Sequence, residues 1–167
     1  NNKPMKNNKT IKINEKRINA ERSVKNLGVL IDATLSWNFH VTELSKKIAR
    51  SIGILYKIRP YVNKKIMMNL NNCLIYPHLI YAIHVWGSTF KTNLNSLVVH
   101  QKKAVRLITY NDVWPVQGYN LAPSLPLFRE LRILKISEIF KHQISKFIHN
   151  CINTEPIQFK DWFLFTT

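Results

Sequence analysis

Acidic side chains are scarce in this sequence: nine Asp and Glu stand against 25 Lys and Arg in 167 residues. No two of the nine are adjacent and none forms an Asp-x-Asp pair. Two-metal phosphoryl chemistry needs carboxylates that share divalent ions. The chain is therefore expected to carry no catalytic and no metal-binding residues of that kind. Glycine is also sparse, with four residues. Neither the phosphate loop G-x-x-x-x-G-K-[ST], nor G-x-G-x-x-G, nor the elbow G-x-S-x-G occurs. The two cysteines, Cys73 and Cys151, lie far apart with no zinc-ligand spacing, and are expected as free, buried thiols in a reducing compartment. His78 and His84 do not share a helical face, and His149 with Cys151 has no further ligand pair, so the histidines read as hydrogen-bonded or solvated. Long apolar runs are missing too. The stretch Cys73–Trp86 is broken by Pro77, His78 and His84 and is too short and polar to span a bilayer. The polar, basic N-terminus has no signal-peptide character. These absences imply an intracellular protein, of cytoplasm and nucleus, without a membrane span. Neither end carries a natural stop: there is no initiator Met, and the chain halts at Phe163–Thr167 in mid-pattern, so both read as cut.

What is abundant is positive charge, +16 in net. Charge of one sign repels itself in a compact fold and points to a polyanionic partner, nucleic acid first and an anionic membrane surface second. Apolar residues make up 46 % of the chain, enough for a core. The periodicities predict a mainly α fold: short N-terminal β-strands forming the edge of a sheet, then a helical bundle. Lys9–Ile13 and Arg17–Asn19 read as a hairpin about Asn14-Glu15-Lys16. Val24–Asp32 reads as one strand whose Gly28 marks a bulge or a close backbone approach. From Trp37 the spacing changes to three and four, with Val41, Leu44, Ile48, Ile52, Leu55 and Ile58 on one helical face ended by Pro60. A second helix is expected over 64–76, with Pro77 kinking it or opening a new one. Pro77–Trp86 reads as the buried centre. A helix at 93–108 carries an outer strip of His100, Lys102, Lys103 and Arg106. Residues 110–126 read as a loop, and helical spacing resumes from Leu127 to about Asn150. The segments are thus 1–36, 37–110, 111–126 and 127–167.

Between Lys46 and Lys65 there are seven Lys or Arg and no acid, with Tyr56 and Tyr61 among them. Ammonium and guanidinium groups contact phosphates without reading sequence, and tyrosine stacks on sugars or bases. A solvated helix face with its tyrosines in the core is the plainer alternative. The four tryptophans, Trp37, Trp86, Trp114 and Trp162, read as core or hinge packing. Asp32 and His40 suggest acid–base work less than a turn or cap.

The order of several short motifs resembles one family. Val24-Lys-Asn-Leu-Gly-Val-Leu-Ile-Asp32, Leu35-Ser-Trp37 and His40-Val41 resemble a stretch of the non-LTR (LINE, jockey-like) retrotransposon reverse transcriptases: a Tyr-Leu-Gly-Val strand, an Asp, then Leu-x-Trp-x-x-His. Downstream, Leu74-Ile-Tyr-Pro-His78, Tyr81, Val85-Trp86-Gly87, Gln101–Ile108 and Pro126-Leu-Phe-x-Glu-Leu131 follow in the same order. Asn26 stands where the family has Tyr, and Ile83 where small or polar residues are common. The resemblance implies that 1–36 is the end of the palm with a primer-grip hairpin, 37–110 a helical thumb, 111–126 a loop, and 127–167 a connecting region. The paired aspartates, their Mg2+ and the fingers would lie upstream, so this piece alone would be inactive and hold no cofactor. The expected partner is an RNA–DNA hybrid or RNA, gripped by the backbone at Leu27, Gly28 and Val29 and by Lys46, Lys47, Arg50, Lys57, Arg59, Lys64 and Lys65. Two other readings stand beside this one: a degenerate, non-catalytic nucleic-acid-binding or interaction fragment, and a membrane-surface protein built on the basic helix at 41–59.

Overall fold

The computed structural model describes residues 11–13, 16–18, 21–109 and 123–153. Two antiparallel hairpins come first. Strands β1 (Ile11–Ile13) and β2 (Lys16–Ile18) pair with Ile11 opposite Ile18. Strands β3 (Ser23–Asn26) and β4 (Val29–Asp32) pair with Ser23 opposite Asp32. The expectation of a single strand over Val24–Asp32 is thereby corrected: the chain reverses at Leu27-Gly28. Both residues have positive φ, 45° and 83°. This left-handed pair gives a two-residue turn whose twist matches the strands it joins. The bulge expected at Gly28 is a turn, and what glycine supplies there is its backbone freedom. The hairpins form two separate two-stranded ladders, not three strands of one sheet edge.

Helix α1 (Asn38–Ile58) buries His40, Val41, Leu44, Ile48, Ser51 and Leu55, the face its periodicity predicted. It ends where Pro60 falls in the short 3-10 turn Arg59–Tyr61. Helix α2 (Lys64–Leu74) is capped by Asn63, whose Oδ1 accepts the Ile66 amide at 3.0 Å. The Ser51 hydroxyl donates to the Leu74 carbonyl at 3.1 Å and fastens α1 to the end of α2. Pro77 lies in the first turn of α3 (Tyr76–Ile80), where its missing N–H costs nothing. The apolar run then breaks at Tyr81-Ala82, with Ala82 left-handed at φ 50°, before the single turn α4 (Ile83–Trp86). Pro77–Trp86 is thus not buried all round: Leu79, Ile83 and Trp86 point inward, while Tyr81, His84 and Val85 are exposed.

Helix α5 (Lys91–Ile108) packs along α1. Residues 110–122, most of the expected loop, lie outside the described residues, as do Trp114 and Trp162. Pro126 belongs to helix α6 (Ser124–Glu130) and not to the loop. Third in that helix, it occupies one of the first positions, whose N–H groups have no intrahelical partner. The helical spacing after Leu127 also divides. A turn at 131–135, with Arg132 at φ 52°, separates α6 from α7 (Ile136–Asn153). Ile48, Leu55, Ile83, Trp86 and Leu97 are wholly buried in the main core, and Leu127 and Phe128 of α6 pack with Val105 of α5 in a second, smaller cluster. Cys73 and Cys151 are free, but Cys73 is exposed on the outer side of α2 and Cys151 half-buried, so neither is the expected core thiol.

Candidate nucleic-acid interface

The junction between β4 and α1 fixes the direction in which the basic helix leaves the hairpin. The buried Asp32 carboxylate accepts the Thr34 hydroxyl at 2.6 Å, the Ser36 amide and hydroxyl at 3.0 and 2.9 Å, and the Trp37 amide at 2.8 Å. Burial alone would raise its pKa, but these hydrogen bonds outweigh it and hold the carboxyl well below the usual range. The Ser36 carbonyl in turn accepts the Thr89 hydroxyl at 2.7 Å and the Asn93 amide at 3.1 Å, which ties the junction to the start of α5. Asp32 is a turn residue, as its place in the sequence suggested. His40, buried one turn into α1, accepts the Leu30 amide at its Nδ1, 3.3 Å away. Neither residue is placed for acid–base chemistry.

With one face of α1 held in the core, its cations stand outside. Lys46, Arg50 and Lys57 fall on the side opposite Leu44, Ile48 and Leu55 at about 100° per residue, and all three are exposed. Lys47 is exposed toward the His40 side, where burial first and the Lys47 charge second lower the His40 pKa. Arg59 is half-buried with its guanidinium 5.2 Å from the centre of the Tyr56 ring. Tyr56 and Tyr61 are exposed, not in the core. Lys64 and Lys65 continue the exposed cations into α2. Two of these cations meet acids: Lys46 Nζ lies 2.6 Å from Glu43, and Lys64 Nζ lies 2.6 Å from Glu130. The Lys46 hydrogen bond, and then its charge, pull the Glu43 carboxyl below its ordinary pKa. Exposed pairs like these contribute little to stability.

The turn residues form a separate group. Leu27 is 83 % exposed at the hairpin tip, and its carbonyl accepts the Tyr81 hydroxyl at 2.5 Å. The Val29 side chain is buried. The outer strip expected on α5 is also divided. Lys102 and Lys103 are exposed, but His100 is half-buried with Nε2 2.9 Å from the Ser45 hydroxyl, and Arg106 is half-buried. Burial first, and the Lys103 charge second, lower the His100 pKa. Gln101, beside them, was legible only as part of a motif. It is buried, donating from Nε2 to the Leu134 carbonyl at 3.1 Å and accepting the Ile136 amide at Oε1, 2.9 Å away. Among the described residues no three acids, histidines or cysteines converge on a metal-sized site. No helix there is long and apolar enough to cross a membrane.

Comparison with known proteins finds relatives of one kind. The chain is 26 % identical over 149 residues to an RNA-directed DNA polymerase from the mobile element jockey of Drosophila funebris, covering 87 % of this chain and 15 % of the relative. It is 23 % identical over 150 residues to the jockey polymerase of Drosophila melanogaster, with the same coverage of 87 % and 15 %. It is 25 % identical over 134 residues to a probable RNA-directed DNA polymerase from transposon X-element of Drosophila melanogaster, covering 78 % and 14 %. No family model and no solved structure matches. The chain is similar to one segment of the non-LTR retrotransposon reverse transcriptases and spans about one seventh of the length of these relatives.

Proposed function

We propose that this chain is the template–primer-binding part of an RNA-directed DNA polymerase of a non-LTR retrotransposon. In this reading the hairpins end the palm, the helices from Asn38 to Ile108 are the thumb, and α6 and α7 open the connecting region. The catalytic aspartates and their Mg2+ belong to upstream palm and fingers, the intramolecular partners of this segment. The observation that carries the proposal is the two-sidedness of α1, with Val41, Leu44, Ile48 and Leu55 buried while Lys46, Lys47, Arg50 and Lys57 are exposed. A surface of this kind grips the sugar–phosphate backbone by charge and shape and does not read base edges. A membrane-surface helix needs the opposite arrangement, with its apolar face free.

The test is binding of the chain to a fluorescent RNA–DNA hybrid across a salt series. Affinity is expected to fall steeply with salt, because each neutralised phosphate releases counterions. Reversing Lys46, Lys47 and Arg50 together to Glu should weaken binding and flatten the log–log salt slope by about two to three. An unchanged slope would remove these residues from the interface. Tight binding to anionic vesicles with none to the hybrid would favour the membrane reading instead.

A further inference from the structure

Three of the four glycines lie among the described residues, and the fold accounts for two of them. Gly28 takes φ 83° in the hairpin turn, where a side chain is strained. Gly87 is buried, and a Cβ there would meet the Ile83 carbonyl oxygen and the Phe140 ring, each at 2.5 Å. Gly53 has neither reason. It lies inside the 21-residue α1, and a Cβ built on it meets nothing within 4 Å among the described residues. Glycine in a helix interior is unfavourable relative to alanine because it loses more backbone freedom on folding. The longest basic helix thus carries a destabilising residue at a place where any side chain would fit.

Its neighbours show what the gap faces. Lys46, Arg50, Gly53 and Lys57 are separated by four, three and four residues and so line one ridge of the helix. All four are exposed. Arg50 and Lys57 stand about 10 Å apart along the axis at the helical rise, with bare backbone between them. Two cations therefore flank a gap in this ridge, bordered on its two sides by the exposed Ile54 and Tyr56.

We infer that Gly53 is a steric specificity position of the nucleic-acid interface. The backbone of α1 at Gly53 seats directly against the sugar edge of an RNA–DNA hybrid, while Arg50 and Lys57 reach phosphates on either side. A hybrid with A-like geometry presents a wide, shallow minor groove, which admits a smooth helix surface. A side chain at 53 would hold the helix off the groove and lengthen both charge contacts. This inference rests on the proposed function, since the ridge matters only if a duplex lies on it.

The experiment compares the full 167-residue chain with its Gly53→Ala, Gly53→Leu and Arg50→Gln variants. Each is measured for thermal unfolding by circular dichroism and for binding to a labelled RNA–DNA hybrid across a salt series. Both glycine variants are expected to melt higher than the parent, because alanine and leucine favour the helix. Binding should move the other way: Gly53→Leu should lose roughly tenfold in affinity, and Gly53→Ala less. Arg50→Gln should reduce the salt slope by about one. A Gly53→Leu variant that melts higher and still binds the hybrid as tightly as the parent overturns the role of Gly53 and leaves the cationic ridge standing. A parent chain with no salt-dependent hybrid binding overturns the ridge, and this inference with it.

Discussion

The imidazole of His40 lies against the indole of Trp86, their ring centres 5.4 Å apart and their planes tilted by 57°. Its Nδ1 meanwhile accepts the Leu30 amide. One side chain thus ties strand β4, the first turn of α1 and the single turn α4 to one another. The Trp86 indole completes the tie by donating from Nε1 to the Tyr81 carbonyl at 2.8 Å. Tyr81 reaches from there to the hairpin tip at Leu27. The spacing of Trp37 and His40 after Asp32 therefore has an architectural meaning: it orients the hairpin and the basic helix on a common core.

Stability should fall on mild acidification. The role of His40 as acceptor requires an unprotonated Nδ1, and burial with the Lys47 charge lowers its pKa in the fold. His100 is lowered in the same direction by burial and Lys103. A histidine with a lowered native pKa binds protons more readily when unfolded. Its contribution is fully present above the unfolded value of about 6.5 and is lost as pH falls below it. The urea midpoint is expected to drop between pH 7.5 and pH 5. His40→Gln, which keeps an acceptor but cannot titrate, should cost about 1–2 kcal/mol at pH 7.5 and flatten this dependence. An equally steep pH dependence in His40→Gln and His100→Gln would assign the effect to other groups.

Asp32→Asn should destabilise the chain by about 2–3 kcal/mol at neutral pH, because charge-assisted bonds to the Ser36 and Trp37 amides are weakened or lost. A carboxylate with a depressed native pKa contributes stability above its unfolded value, near 3.8, that is lost as pH falls through the folded one. The difference between parent and variant should therefore shrink progressively below about pH 4 in urea titrations. A difference independent of pH would mean that shape, not charge, carries the role of Asp32.

How much of this was legible in the sequence depended on the range of the signal. Helix α1 was readable because its period persists over 21 residues and Pro60 stops it. The outward direction of Lys46, Arg50 and Lys57 followed from the same period. The turn at Leu27-Gly28 was hidden because leucine gives no sign that it will take a left-handed φ, where Asn-Gly or Asp-Gly would have. The break at Ala82 was hidden for the same reason, inside an apolar run with no glycine. Pro126 misled because proline is read as a helix breaker, although the first turn tolerates it. The Lys64–Glu130 pair and the Gln101 contacts link residues 66 and 33–35 positions apart, and no local pattern encodes them.

Gly87→Ala tests the close approach at the end of α4, where the chain meets both its own preceding turn and α7. The added Cβ would clash with the Ile83 carbonyl oxygen, which is backbone and cannot rotate away, as well as with the Phe140 ring. Overpacking of this kind costs about 1–3 kcal/mol. The expected outcome is a lower melting temperature and faster amide exchange in α7. Combining it with Phe140→Ala should restore little, because the backbone clash persists.

Gln101 is the most informative position for the attachment of α7. Its carboxamide satisfies the Leu134 carbonyl and the Ile136 amide at once, from inside α5 and with 3 % of its surface exposed. Gln101→Leu keeps the volume but removes both partners, and should cost about 2–3 kcal/mol with loss of exchange protection at Ile136. Gln101→Glu separates the two halves of the interaction. A carboxylate still accepts the Ile136 amide, but it faces the Leu134 carbonyl without a proton to donate, in a buried site that raises its pKa. The penalty should therefore be greatest at neutral pH and relieved as the pH falls through the raised value, when the protonated acid can donate to Leu134. Relative to the parent chain, which is itself expected to lose stability toward pH 5, the Gln101→Glu variant is expected to gain, read as converging urea midpoints. Midpoints that stay parallel from pH 7.5 to 5 would show that the donor half of Gln101 does not hold the turn at 131–135.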